Sequence, residues 1–233
     1  MKIDIWSDTR CPFCYIGKHN FEAALAKFKN KNDIKVEWHS FQLDPNIVTQ
    51  PEMDSFEYLA KIKGISIEQV EQMHQNLVTV GKEAGIDFNF KTSVVANSFK
   101  SQMLVQLAKQ RGLANDLEEK LFEAQFLHGL NVDDDIDLQK IGNQVGISNV
   151  DTEKAIYDDN LKYAVNQDIQ MAQNLGIKGV PFFIFNDKYA VSGAQPIALF
   201  EEVIQKSWEE FSSGDKGLKI VSNGDACDIE GNC

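Results

Sequence analysis

At 233 residues the chain is long enough for one large domain or two small ones, and its 43% apolar and 25% charged residues exclude disorder as its general state. A formal charge of −12 argues against nucleic acid or anionic lipid as a main partner, since both would be repelled over most of the surface. No secretory leader is visible and no run of about 18 apolar residues could cross a bilayer, so a cytoplasmic location without a membrane partner is expected.

Residues 2–6 are short and β-prone, and a helical pattern begins just after Cys11, with Phe13, Gly17, Phe21, Ala24 and Phe28 on one face. Residues 34–43 then alternate apolar and polar side chains as a half-buried strand does, ending at Asp44-Pro45-Asn46. This β-α-β opening implies parallel strands joined by a right-handed crossover. From 51 to 160 helical periodicity replaces every strand signal. Ser66 and Gln69 have capping-box spacing ahead of Ile67, Val70, Met73, Leu77 and Val80. Further helices are expected at 93–110, 116–127, 137–145 and 152–158, most of them stopping at glycine. A longer helix over 161–175 leads back to the first unit.

After Gly176 the β-prone segment 180–185, a turn at Asn186-Asp187 and the segment 189–192 read as a hairpin, and Pro196 introduces a last helix over 197–211. Residues 212–233 are rich in Ser, Gly, Asn and Asp and read as a mobile tail. With the central block removed, the order is that of thioredoxin. The expected fold is therefore α/β, thioredoxin-like, with an inserted all-helical domain. Residues 1–50 and 161–213 form the first unit, 51–160 the insertion and 214–233 the tail.

Cys11-Pro12-Phe13-Cys14 lies where the first helix begins. A cysteine at a helix N-terminus has its thiolate stabilised by free N–H groups and the helix dipole, so Cys11 is expected to attack. Cys14, one turn inside and less exposed, is expected to resolve the mixed disulfide. Pro12 in the first turn loses no hydrogen bond. In a presumed cytosolic chain this spacing favours redox chemistry over a structural disulfide. No metal or other cofactor is expected: zinc would need two further ligands, and the spacing of Cys227 and Cys233 is wider than in usual zinc pairs. Gly179-Val180-Pro181 enters the late strand, and a cis proline there would leave backbone groups free to pair with an extended substrate.

Ile-Trp-Ser-Asp-x-x-Cys-Pro-Phe-Cys-Tyr-Ile-Gly-Lys at 5–18, Ser-Phe-Gln-Leu-Asp-Pro at 40–45, and Gly-Val-Pro-Phe-Phe-Ile-Phe with Val-Ser-Gly-Ala-Gln at 179–195 together resemble the FrnE-type DsbA-like oxidoreductases over nearly the whole chain. The resemblance implies a thioredoxin fold with a helical insertion, a nucleophilic Cys11, a resolving Cys14 and a cis Pro181. Pro12, Phe13 and Val180 become candidate substrate contacts. Two departures stand out: Gln102 occupies a position where relatives carry histidine, and Phe13 one where many carry tryptophan. Strongly oxidising relatives place histidine between the cysteines. Phe13 donates no hydrogen bond, so a higher Cys11 pKa and a more reducing potential are expected than for periplasmic DsbA.

Cys227 and Cys233 are candidates for a second redox pair, in keeping with C-terminal pairs in some FrnE-type proteins. Asp4 and Asp8 could accept a proton, but a surface or capping role is the expectation for both. His19 is expected to face solvent, and His39, His74 and His128 share no metal spacing. The leading functional expectation is a protein-disulfide reductase or isomerase. Its partners would be disulfide-containing proteins, with glutathione or a thioredoxin-type reductant to recycle it. The alternatives are a glutathione-dependent isomerase or transferase of the kappa and 2-hydroxychromene-2-carboxylate type, and a metal-binding or redox-sensing module.

Overall fold

The computed structural model describes residues 1–213 together with the backbone of 219–223 and 227–228. Strand β1 (Lys2–Ser7) lies between β2 (Lys35–Ser40) and β4 (Phe182–Phe185), followed by β5 (Tyr189–Ser192) and β6 (Lys219–Asn223), in the order β2-β1-β4-β5-β6. β1 runs parallel to β2 and antiparallel to β4. Helix α1 (Pro12–Lys27) provides the first crossover.

The alternation of side chains along β1 decides what each face of the sheet holds. Ile3 and Ile5 point toward α1 and α9 (Ile197–Ser213), where Phe21, Phe183, Phe185 and Phe200 pack in one apolar cluster with them. The Phe183 and Phe200 rings meet edge to face at 4.8 Å. Asp4 and Trp6 point the other way, toward α8 (Asp159–Asn174): the Trp6 indole N–H donates to Asp168 O, and His39 stacks on Trp6 at 4.5 Å.

Between β2 and α8 come α2 (Ser55–Lys63), α3 (Ile67–Glu83), α4 (Phe99–Gln110), α5 (Ala114–Glu123), α6 (Asp135–Gln144) and α7 (Asn149–Ala155). The Ser66–Gln69 capping box forms, and Gly85 beyond α3 has φ +80°. α2 had no counterpart in the sequence reading. Its start depends on Asp54, whose carboxylate accepts from the N–H groups of Phe56 and Glu57. The helix expected over 93–110 begins six residues later than expected: Val95 instead bridges Gln50, and Asn97 Oδ1 accepts from the Phe99 N–H. Beyond α5 the helix widens into a π turn at Ala124–His128 and stops at left-handed Gly129.

The hairpin turn is as expected, with Asn186 and Asp187 at φ 53° and 56°. The tail departs from expectation in the residues described. Its backbone adds β6 parallel to β5 and then β7 (Cys227–Asp228) antiparallel to β3 (Gly179–Val180). Open strand edges with free N–H and C=O groups account for this pairing, which composition alone does not reveal.

Candidate active site

β1 delivers the chain to a buried turn in which Asp8 O accepts from the Cys11 N–H at 2.9 Å, making Cys11 the residue that caps α1. Pro12 takes the first helical position, and the Cys14 N–H donates to Cys11 O at 3.0 Å. Both thiols are free. The Cys11 thiol donates to Val180 O at 3.5 Å. The expectation that Cys11 is the more exposed sulfur is corrected, for both cysteines are essentially buried. They belong to an apolar cluster with Phe41, Phe88, Phe90, Phe122 and Phe126, against which Phe13 packs part-buried. Burial pushes the Cys14 thiol well above its ordinary pKa, and the neighbouring Cys11 adds to this; the Asp8 backbone and the Ser7 hydroxyl beside it act in the opposite sense.

The Val180–Pro181 peptide bond is cis, and both residues are buried. Gly17 lets them come close: a Cβ there would stand 2.9 Å from Pro181 Cγ and 3.4 Å from Phe183 Cζ. The Gly179–Val180 backbone just before Pro181 carries β7, with Val180 opposite Cys227. Of the second pair, Cys227 is described as backbone only and Cys233 lies outside the described residues.

The acids near the motif are not surface groups. Asp8 is fully buried, its two carboxylate oxygens accepting from the N–H groups of Arg10 at 3.1 Å and Leu43 at 2.8 Å. Asp4 is buried on the other face of β1. There His39 bridges Asp4 at 2.6 Å and Asp168 at 2.7 Å, and Asp168 also accepts from the Ser40 N–H and the Gln106 amide. Burial works against charge on His39, but its two carboxylate partners outweigh this and raise its pKa. Asp4, Glu37 and His39 offer ligand atoms within 4.8 Å of one another, yet the Lys2 ammonium lies among them, 2.8 Å from Asp4 and 3.0 Å from Glu37.

His19, expected in solvent, is half-buried, with Nδ1 on Ala84 O and Nε2 on Glu119. Glu119 also receives Tyr15 Oη at 2.8 Å and Lys18 Nζ at 2.6 Å, pinning α1 to α5. Burial would raise the Glu119 pKa, but His19, Lys18 and Tyr15 together bring it down to about 2. His74 stacks on Phe90 at 4.3 Å beside a hollow of about 400 Å³ lined by Phe56, Val78 and Phe88, and burial alone lowers its pKa to about 4. Gln102 donates to Ser7 O at 3.0 Å, one residue before Asp8. Glu118, Lys18 and Glu119 carry no expected role from the sequence. An available signal was an acid on the apolar face of α5, since Glu118 shares that face with Ala114, Leu121 and Phe122.

A sheet of this order, with helices inserted after β2 and paired thiols heading α1, defines a thioredoxin-fold thiol oxidoreductase. The family model described as DSBA-like thioredoxin domain matches residues 2–205, and the chain belongs to that family. It is 27% identical over 214 residues to the uncharacterized protein YwbO of Bacillus subtilis, covering 87% of this chain and 94% of that protein. The crystal structure of the probable DsbA oxidoreductase SCO1869 of Streptomyces coelicolor superposes with a TM-score of 0.83 at 30% identity, covering 100% of this chain and 98% of that one. The cytosolic disulfide reductase DsbM of Pseudomonas aeruginosa, solved with GSH, shares the fold at a TM-score of 0.61 and 13% identity, covering 91% of this chain and 98% of that one. Among the described residues no helix is long and apolar enough to cross a membrane.

Proposed function

We propose that the protein reduces or isomerises protein disulfides through a mixed disulfide on Cys11. The observation that carries the reading is the Cys11 thiol at the head of α1, 3.5 Å from the Val180 carbonyl that precedes Pro181. The reacting sulfur is thereby set beside a backbone edge able to hold an extended chain. The Cys11 thiolate attacks one sulfur of a substrate disulfide, that S–S bond breaks, and the other substrate sulfur leaves as thiolate. Cys14 then gives up its proton and attacks Cys11, forming the Cys11–Cys14 disulfide and releasing the second substrate thiolate. Two electrons pass to the substrate. Glutathione or a thioredoxin-type dithiol returns them, and in a cytosolic setting that poise favours reduction and isomerisation over oxidation.

In this reading Pro12, Phe13 and Val180 contact substrate. The pairing of Val180 with Cys227 supports it, because a segment of the chain itself lies extended on that edge. The same pairing supports Cys227 and Cys233 as a second thiol pair that exchanges with Cys11, and a protein substrate competes with residues 227–228 for the edge.

The test is capture. Cys14→Ala leaves the mixed disulfide unresolved, so that variant is expected to accumulate dithiothreitol-sensitive adducts with disulfide-bearing proteins while Cys11→Ala accumulates none. Equal capture by the two variants, or none by Cys14→Ala, would overturn the reading.

A further inference from the structure

The resolving step needs somewhere to put a proton. Cys14 is buried and carries its proton at neutral pH, yet it must lose it to attack Cys11 and regain it when the dithiol is restored. Neither acid near the motif in sequence is free to exchange it. Both carboxylate oxygens of Asp8 are held by backbone N–H groups, and Asp4 is engaged by His39 and Lys2 on the opposite face of β1.

The inserted helices supply another acid. Glu118 on α5 is 1% exposed, and neither of its carboxylate oxygens has a hydrogen-bond partner among the described residues. α5 is held against α1 on both sides of this position. Asn115 bonds Glu22 at 2.7 Å, Glu119 takes Tyr15, Lys18 and His19, and Phe122 stacks on Tyr15 at 5.0 Å. Around the same part of α1 other buried polar atoms also lack a partner among the described residues: Ser7 Oγ, beside the Cys14 sulfur, and Oε1 of Gln102, whose amide nitrogen is anchored on Ser7 O. Buried polar atoms usually find partners, so a buried carboxyl left without one on the helix packed against α1 marks a group kept for something other than stability.

We propose that Glu118 is the proton reservoir of Cys14, linked to it through the Ser7 hydroxyl, so that the inserted helices take part in the redox cycle as well as covering it. When Cys14 attacks the mixed disulfide, the Cys14 S–H bond breaks, the Cys11–Cys14 bond forms, the substrate thiolate leaves with the electron pair of the broken disulfide, and the proton passes to the Glu118 carboxylate. When a reductant opens the Cys11–Cys14 disulfide, Glu118 returns that proton to the departing Cys14 sulfur. The charged groups facing Glu118 are Lys18 from α1, which favours its ionised form, and Asp8 from the turn before α1, which opposes it. α4 and α6, which also pack on α5, bury only neutral side chains. Burial dominates and brings the Glu118 pKa up to about 8, where a carboxyl can both accept and return a proton near neutrality.

The inference rests on the proposed roles of Cys11 and Cys14, and its test separates the two. In full-length protein with Cys227→Ser and Cys233→Ser, 5,5′-dithiobis(2-nitrobenzoate) is followed by stopped flow. The first thionitrobenzoate released reports attack by Cys11, and the second reports resolution by Cys14. Glu118→Gln is expected to leave the first phase unchanged, to slow the second by roughly tenfold or more at pH 7, and to remove its rise with pH toward about 8. Glu118→Leu, which replaces the orphaned carboxyl with an apolar group, is expected to melt at or above the parent temperature and to show the same slow second phase. A second phase in both variants with the parent rate and pH profile would overturn the inference. Absence of a first phase in the parent would instead refute the role of Cys11.

Discussion

Two buried polar clusters flank β1, and they are built on opposite plans. On the α8 side, His39, Asp4, Asp168, Ser40 and Gln106 share hydrogen bonds that tie β1, β2, α4 and α8 together. On the side of the cysteines, Ser7, Gln102 and Glu118 present atoms that meet no partner among the described residues. A satisfied network rigidifies and specifies a fold, whereas an unsatisfied one costs stability and persists where a reaction uses it. The first cluster accounts for how the inserted helices are seated.

The contrast can be broken most forcefully from the satisfied side. Asp168→Ala removes one of the two partners of His39 and of the Gln106 amide and the acceptor of the Ser40 N–H, and a loss of about 3–5 kcal/mol is expected from urea unfolding. Gly17→Ala is expected to cost about 1–3 kcal/mol, because the added methyl must displace Pro181 or Phe183. It should also slow the first phase with the aromatic disulfide by moving the Val180 edge away from Cys11.

The smallest effect lies in pH dependence. His39 has a raised pKa in the fold, so its contribution is complete below its unfolded value near 6.5 and is lost as pH rises through the folded value. Glu118 has the same sign over a different window, complete below about 4.5 and lost as pH rises to about 8. Thermal melts from pH 4 to 9 are therefore expected to lose their slope between about 4.5 and 8 in Glu118→Leu, and only the part above about 6.5 in His39→Gln. Identical slopes in the two variants would erase the distinction between the clusters.

Local signals carried much of the reading. The capping box at Ser66, the turn at Asn186-Asp187 and the Cys11–Cys14 motif each act within a few residues, and each appears where its local chemistry predicts. Where a remote partner decides the outcome, the sequence reading fell short. Residues 93–98 leave the helix because Gln50 pairs with Val95 and Thr49 Oγ1 accepts from the Asn97 N–H, and His19 leaves solvent because α5 brings Glu119 to it. Asp8, expected in a surface or capping role, is buried where the Leu43 N–H, 35 positions away, reaches its carboxylate.

The sequence by itself determined the β-α-β opening, the late hairpin, the helix that carries Cys11 and Cys14, and the family to which they point. Only the tertiary structure decided that both thiols are buried, that residues 227–228 lie on the Val180 edge, and that Glu118, an acid on a distant helix, is buried without a hydrogen-bond partner among the described residues. Periodicity and capping arise from neighbours along the chain. The burial of a charge, and its effect on pKa, arise from whatever the rest of the molecule packs against it.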